Sequence, residues 1–198
     1  MKIIAHRKNS VADLLATPTH FGVEVDIRSR EQELIIHHDP YLEGVGFEDW
    51  FAHYQHGTLI LNVKEEGLEE RLMQLMKSRG CEDYFFLDQS FPYLVKLSDW
   101  GEKRCAVRVS EFESLDTALS LAGRINWVWV DCFTRFPLTG EQAERLLEAG
   151  LRLCLVSPEL QGRDAEIEIP ALIEYLNKEG ILAEAVCTKR PDLWSAAK

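Results

Sequence analysis

Short apolar runs alternate with longer amphipathic runs along almost the whole chain. Runs such as KIIA, LILNV and YFFL have the length and composition of buried strands, and the segments that follow them space their apolar residues as helices do. The pattern predicts eight strands, at residues 2–5, 22–27, 59–63, 84–87, 104–109, 126–131, 151–156 and 183–188. A further apolar run at 33–38 and a short helix at 47–54 interrupt the series after the second strand.

The segments between the strands carry residues that begin and end helices. Thr139 and Gln142 form a capping-box pattern, in which the threonine hydroxyl accepts a backbone N–H at the helix start. Pro170 fits the first turn of a later helix, since its missing N–H has no intrahelical partner there. Glycine favours the left-handed conformation that ends many helices. It follows four of the predicted helices, at Gly80, Gly123, Gly150 and Gly180.

The alternation of strands and helices predicts a parallel sheet, because each helix must return the chain to the edge where the next strand begins. Eight such units can close into a (β/α)8 barrel, and 198 residues is near the short end for that fold. The alternative is an open doubly wound sheet, but neither a G-x-G-x-x-G nor a P-loop sequence follows the first strand. We therefore predict one domain over residues 1–198, a compact α/β barrel of the TIM type.

Composition and charge narrow the possible partners. Apolar residues make up 46% and charged residues 28% of the chain, which is typical of a soluble globular protein. The net charge of −11 argues against nucleic acid or an anionic membrane as the main partner, since both require a basic surface. A local basic pocket remains compatible with this total, so a small phosphorylated substrate is possible. No pattern in the sequence indicates an oligomeric state.

The cysteines and the first residues suggest a cytoplasmic protein. Five cysteines without any C-x-x-C pair favour reduced thiols buried as small apolar side chains over disulfides or a zinc site. The apolar patch near the N-terminus has three residues, far fewer than a signal peptide or a membrane span needs. We expect no membrane insertion.

Polar side chains gather where the predicted strands end, the edge of a barrel at which chemistry takes place. His6 and Arg7 follow the first strand. Glu24 and Asp26 lie two residues apart in the second strand, so both side chains face the same side of the sheet. The third predicted strand adds a pair of the same spacing, and the extra apolar run ends in HHDP.

Two carboxylates held side by side in a barrel mouth repel each other and lose hydration, so a positive charge must offset them. A hard divalent cation, Mg²⁺ or Ca²⁺, suits the oxygens of Glu24, Asp26 and Asn62. The alternative is a salt-bridge cluster in which Arg7 and Lys64 neutralise the two acids. Residue types alone leave both interpretations open.

Histidines near such a site indicate general acid–base chemistry, because imidazole titrates nearest neutral pH. His38 shares its strand face with Leu34 and Ile36 if the extra strand extends through it, which directs His38 to the site and His37 away from it. Asp39 then either orients His38 or caps the turn.

The motifs in their order resemble the glycerophosphodiester phosphodiesterases, a family of phospholipase-C-like phosphodiesterase barrels. The similar segments are AHR after the first strand, VEVDIR in the second, HHDP after the extra run, an x-N-x-K pattern in the third, LDQSFPYLVKL at the fourth, and AVCTKRPDL near the end. Together they extend from residue 3 to about residue 193. The resemblance implies a TIM-type barrel that hydrolyses a phosphodiester of the glycerophosphodiester type, as part of lipid metabolism, with one divalent cation.

The resemblance also implies roles for particular residues. His6 and His38 would form the acid–base pair, and Arg7 and Lys64 would bind the phosphate oxygens. The expected metal ligands are Glu24, Asp26 and Asn62.

Two departures from the family pattern point to a short and divergent member. Asn62 occupies the position of a third acidic ligand, so the site lacks one negative charge unless another carboxylate supplies it. The candidates for that carboxylate are Asp39, Glu65, Asp88 and Asp131. The span between Pro40 and Leu59 is also short, and it leaves room for one small helix where the family carries a longer insertion.

These departures keep a second hypothesis open, a barrel that binds a phosphorylated ligand without turnover. A third hypothesis, a metal-dependent sugar isomerase or an aldolase, is less favoured. Schiff-base chemistry would need a lysine buried in the sixth strand, which has Trp129 and Asp131 instead.

Overall fold

A computed structural model describes residues 1–196 of the chain. Its strands are β1 (Lys2–Ala5), β2 (Gly22–Arg30), β3 (Glu33–Ile36), β4 (Val45–Gly46), β5 (Leu59–Val63), β6 (Tyr84–Leu87), β7 (Ala106–Val109), β8 (Trp127–Val130), β9 (Arg152–Val156) and β10 (Ala185–Thr188). Its α-helices are α1 (Val11–Leu15), α2 (Phe47–Phe51), α3 (Glu69–Ser78), α4 (Phe91–Asp99), α5 (Leu115–Ser120), α6 (Gly140–Glu148), α7 (Ala165–Glu179) and α8 (Pro191–Ser195). Every strand predicted from the sequence is present within one to three residues of its expected bounds.

The sheet is curled and mostly parallel, which confirms the predicted α/β class. Its parallel strands follow one another in the order β6-β5-β2-β1-β10-β9-β8-β7. The antiparallel pair β3 and β4 extends from the end of β2. The two ends of the curled sheet, β6 and β7, meet at a single bridge between Phe86 and Cys105, where the N–H of Phe86 donates to Arg104 O (2.8 Å).

Two apolar layers lie on the two faces of this sheet. The larger layer packs the outward side chains of the strands, such as Val128 and Val130, against the helices. The smaller layer fills the inside of the curl and includes Phe85, Trp127 and Trp129. The sequence predicts that Trp127 and Trp129 pack beneath helices; this prediction is wrong, because Val128 and Val130 take the helix side of β8 and both tryptophans face the inside of the curl.

The helix boundaries follow the capping signals, with one exception. The capping box of Thr139 and Gln142 at α6 is present in both directions. Pro170 lies inside α7 and not in its first turn, because the side chain of Asp164 caps the N–H of Glu166 and starts the helix five residues earlier. The four predicted C-terminal glycines all have positive φ, between 65° and 80°.

The short span between Pro40 and Leu59 contains one small helix, α2, as the sequence predicts, and the two-residue strand β4. All five cysteines are free thiols, as predicted. Within residues 1–196, no helix combines the length and the apolar composition that crossing a membrane requires.

Candidate active site

The acidic pair of β2 lies where the sequence places it. Glu24 and Asp26 point into the curl and are 1% and 0% exposed, while Val23, Val25 and Ile27 pack on the helix side. Gly22 begins the strand at a close approach between backbones, since a Cβ there would lie 2.5 Å from Thr58 O. The register then sets Asp26 opposite Asn62 of β5.

Glu24 is held on both oxygens by neutral donors. Asn62 Nδ2 donates to Oε1 (2.8 Å), and the backbone N–H of Arg7 donates to Oε2 (2.7 Å). Burial and the nearby charge of Asp26 raise the pKa of Glu24 to about 7, and these hydrogen bonds only partly oppose the rise. The Glu24 carboxyl therefore titrates near neutral pH in the protein without a bound cation.

Asp26 is held by cations and by an asparagine. Arg7 Nε lies 3.3 Å from Oδ2, and Lys64 Nζ lies 3.3 Å from Oδ1. Asn9 donates to Oδ2 (2.8 Å) and accepts from the Asp26 N–H (3.1 Å). The salt-bridge cluster foreseen as an alternative thus forms around Asp26, whereas Glu24 has no cation in contact among Arg and Lys residues of the described chain.

The donor set includes oxygens that a hard cation could use. Two buried oxygens, Asp26 Oδ1 and Asn62 Oδ1, have no hydrogen bond to any residue in the range 1–196. Both belong to predicted ligands, and carboxylate and amide oxygens are what Mg²⁺ and Ca²⁺ prefer. No cluster of three or more His, Cys, Asp or Glu side chains in the described chain has the arrangement of a metal site. The residues fit a cation held by two carboxylates and one amide.

His6 follows β1 and lies beside the acids. Its Nε2 is 3.8 Å from Glu24 Oε2, and its side chain is 14% exposed. Burial, then the positive charges of Arg7 and Lys189, lower the pKa of His6 to about 3. The imidazole is therefore neutral at pH 7 in the protein without a bound substrate or cation.

His38 lies in the turn after β3, which ends at Ile36, so the predicted extension of the strand through His38 is wrong. The backbone N–H of His37 donates to Asp26 O (3.1 Å), and the Arg28 side chain of β2 donates to the carbonyl of His38. His38 Nδ1 then lies 2.7 Å from Asp39 Oδ1, and this contact lowers the pKa of Asp39. Asp39 orients the His38 ring, while the side chain of His37 accepts the Asp39 N–H (3.0 Å).

A chain of ion pairs continues from the acids across the ends of the next strands. Lys64 joins Asp26 to Asp88 after β6, with Nζ 3.3 Å from each carboxylate. Arg108 of β7 joins Asp88 to Asp131 after β8, with a distance of 3.0 Å to Asp131. The contacts place these side chains side by side along the strand ends.

None of the four candidate acids replaces the missing third carboxylate. Asp39 contacts His38, and Glu65 accepts from Ser29. Asp88 and Asp131 bind Arg108, and burial raises the pKa of Asp131. Each carboxylate already has partners outside the pair of β2.

A cavity of about 550 Å³ opens beside this chain, between the diverging ends of β6 and β7. Its wall combines polar and apolar side chains: Leu87, Asp88, Phe91, Val107, Arg108 and Phe112. Its lining residue Asp88 pairs with Lys64, whereas the predicted catalytic, metal-binding and phosphate-binding residues do not line it.

Sequence reasoning did not assign Asn9 or Asp88 to this site in the roles they have. Asn9 lies in the turn before α1, where an Asn-Ser pair predicts only a turn and a helix cap. Asp88 has a φ of 59°, which no local pattern indicates. Asn9 contacts Asp26 of β2, and Asp88 contacts Lys64, which follows β5. Both contacts join residues distant in sequence, so only the three-dimensional structure reveals them.

Comparison with known proteins shows the fold. No family model matches the chain, and no curated protein matches it. A glycerophosphodiester phosphodiesterase from Agrobacterium tumefaciens str. C58 superposes with a TM-score of 0.69 at 17% identity, covering 100% of this chain and 98% of that one. A glycerophosphoryl diester phosphodiesterase from Parabacteroides distasonis ATCC 8503 gives 0.64 at 16% identity, covering 99% and 85%. The chain has the fold of these proteins over its whole length, as the resemblance implied.

Proposed function

We propose that the chain is a metal-dependent phosphodiesterase that hydrolyses a diester of the glycerophosphodiester type on a (β/α)8 barrel. One observation carries the proposal: two fully buried carboxylates from one strand lie beside a neutral imidazole and two cationic side chains at the strand ends. The likeness of fold to glycerophosphodiester phosphodiesterases supports it.

The proposed cation is one Mg²⁺ or Ca²⁺ on Glu24, Asp26 and Asn62. When bound, it would supply positive charge against the phosphoryl oxygens. This ligand set is supported by two buried oxygens without a hydrogen bond, of which Asp26 Oδ1 pairs only with Lys64, and by a Glu24 carboxyl whose ionisation burial disfavours.

Arg7 and Lys64 are proposed to bind the phosphate oxygens. Both cations lie 3.3 Å from Asp26, so they already surround the position that the ligand set defines. The side chain of Arg7 is 39% exposed and that of Lys64 is 16% exposed, so the Arg7 guanidinium is the more accessible of the two to a substrate. Their charges would stabilise the negative charge that grows in the transition state.

The two histidines are proposed to divide the proton transfers. His6 is neutral at pH 7 and would take the proton of the attacking hydroxyl, which belongs to water or to the substrate itself. Asp39 holds Nδ1 of His38, so the other ring nitrogen would give a proton to the leaving alkoxide. The alcohol portion of the substrate would occupy the cavity between β6 and β7.

The experiment is hydrolysis of glycerophosphodiesters and of bis(p-nitrophenyl) phosphate by the wild-type protein, with Mg²⁺, with Ca²⁺ and with EDTA. We expect activity that EDTA abolishes, and a loss of at least about 10²-fold in H6A and H38A with unchanged circular dichroism. H37A, which changes the neighbouring imidazole, is the matched control and should retain activity. Full activity in H6A or H38A would refute the two-histidine mechanism.

One feature favours a second candidate, a binding protein for a phosphorylated ligand. Asn62 donates to Glu24, and Arg7 and Lys64 neutralise Asp26, so the acids have partners without a cation. This candidate predicts calorimetric binding of glycerol phosphate with no turnover and no affinity for millimolar metal. Turnover that requires a metal would rule it out.

A further inference from the structure

Lys64 lies between two carboxylates, and it donates a hydrogen bond to Asp88 while it makes only an ion pair with Asp26. Its ammonium nitrogen lies 3.3 Å from Asp26 Oδ1 and 3.3 Å from Asp88 Oδ2, with the side chain 16% exposed. Asp26 belongs to the proposed ligand set, whereas Asp88 lies outside it, after β6. Lys64 therefore has one partner at the cation position and one partner beside it.

The Lys64 ammonium and a bound divalent cation would compete for the same oxygen, Asp26 Oδ1. Asp26 Oδ1 has no hydrogen bond within residues 1–196, and its nearest cation is the Lys64 ammonium. A divalent cation on Oδ1 would face that ammonium at short range, where like charges in a buried setting repel strongly. Binding at Asp26 thus requires Lys64 to give up this contact.

Asp88 is built to receive the displaced ammonium. Its backbone has a φ of 59°, a left-handed conformation that is costly for most residues and least so for Asn and Asp. Arg108 binds the other carboxylate oxygen of Asp88 and is itself bound to the buried Asp131 (3.0 Å). Asp88 is thereby fixed in place while Oδ2 remains directed to Lys64.

We propose that Asp88 is a positioning residue that takes over Lys64 when a cation occupies Asp26. It frees Asp26 for the cation and keeps the ammonium at the mouth, where a phosphate oxygen can reach it. The inference deepens the proposed function and rests on its metal site.

The test is a double-mutant cycle on Mn²⁺ affinity, measured by calorimetry and by electron paramagnetic resonance for wild type, D88N, K64M and the double variant. Asn tolerates the left-handed backbone at position 88, so D88N should fold, as circular dichroism would verify. We expect D88N to weaken Mn²⁺ binding by about fivefold or more, because Lys64 then remains on Asp26. K64M should bind Mn²⁺ more tightly than wild type, and D88N should change affinity less than about twofold when Lys64 is absent.

E113Q is the matched control, since Glu113 contacts Arg108 (3.8 Å) and not Lys64. It removes one negative charge from the same mouth and should change affinity by less than about twofold. If Asp88 acted only as a distant attractive charge, D88N would cost as much or more in the K64M background, and the inference would be overturned.

The same measurements separate this inference from the proposed function. If wild type binds Mn²⁺ and the effects of the two substitutions are additive, the role of Asp88 is overturned and the proposed metal site is not. Binding by K64M but not by wild type would show that Asp88 does not free Asp26 from Lys64, and it overturns both the inference and the metal dependence of the natural protein. Absence of binding in both proteins overturns both.

Discussion

The backbone N–H of Arg7 donates a 2.7 Å hydrogen bond to Glu24 Oε2, from a residue whose φ of 52° lies in the left-handed region. This conformation costs a non-glycine residue roughly 1 kcal/mol or more. It turns the N–H of Arg7 toward one acid of β2 while the Arg7 guanidinium reaches the other, Asp26. Arg7 thus contacts both carboxylates: its neutral backbone N–H binds Glu24, and its positively charged guanidinium lies beside Asp26.

Glu24 is therefore expected to make stability depend on pH in the metal-free protein. Its pKa is about 7 in the folded state against an ordinary glutamate value of 4.5, so between those values the folded state binds more protons than the unfolded state. Stability from this group is present below pH 4.5 and is lost as pH rises through 7. E24Q lacks this loss. The free energy of unfolding of E24Q relative to that of wild type should therefore rise between pH 5 and pH 8, by roughly 3 kcal/mol at most.

Urea unfolding in EDTA at several pH values measures this difference. E43Q, which changes an exposed glutamate paired with Arg30, should follow the wild-type curve at all pH values. A constant difference between E24Q and wild type would contradict the raised pKa of Glu24.

Asn62 is expected to limit metal affinity, because it supplies a neutral oxygen between two acids. N62E should raise the affinity for Mn²⁺ or Ca²⁺ by about tenfold or more, since cation affinity in oxygen sites follows the number of charged ligands. The same substitution should lower the melting temperature in EDTA, because a third buried carboxylate repels Glu24 and Asp26.

Calorimetry and thermal unfolding with and without metal measure both effects. N62Q is the control, a longer amide without added charge. Equal affinities of N62E and N62Q would show that the charge of ligand 62 does not govern cation binding.

Asp39 is expected to act through His38, whose side chain is 42% exposed and has its Nδ1 contact to that carboxylate. D39N should lower kcat by about tenfold or more while KM for the diester changes little, because the ring loses its orientation and the substrate loses no contact. Steady-state kinetics at saturating substrate measures the split between kcat and KM. A rise in KM at constant kcat would instead assign Asp39 to substrate binding.

Periodicity predicted the strands well because buried parallel strands are short, apolar and separated by amphipathic helices. The helix-start preference of proline misled at Pro170, where the Asp164 cap starts α7 earlier than the proline indicates. The expectation that Trp127 and Trp129 pack beneath helices was wrong, because both faces of β8 are apolar and the sequence pattern then does not show which face points inward. Which face of a fully buried strand points inward depends on its neighbours in the sheet.

The sequence predicted on which elements the candidate site residues lie, but it did not predict most of the contacts between them. The spacing of Glu24 and Asp26 was sufficient to place both on one face, since the side-chain period of a strand is two. The pairing of Lys64 with Asp88, and of Asn9 with Asp26, depends on turns between distant segments that no local pattern encodes. The roles of His6, His38 and the metal ligands stay predictions that the experiments above test.

Phe86 and Cys105 form one bridge at the seam between the two ends of the curled sheet, and every other pair of neighbouring parallel strands in residues 1–196 has at least two paired positions. Amide hydrogens along this seam should exchange with solvent sooner than those of the β1–β10 ladder, which has four paired positions on the opposite side. Transient separation there would widen the space beside Arg108 and leave His6, at the end of β1, in place. A bulky alcohol group could thereby be admitted without displacing His6, the proposed proton acceptor.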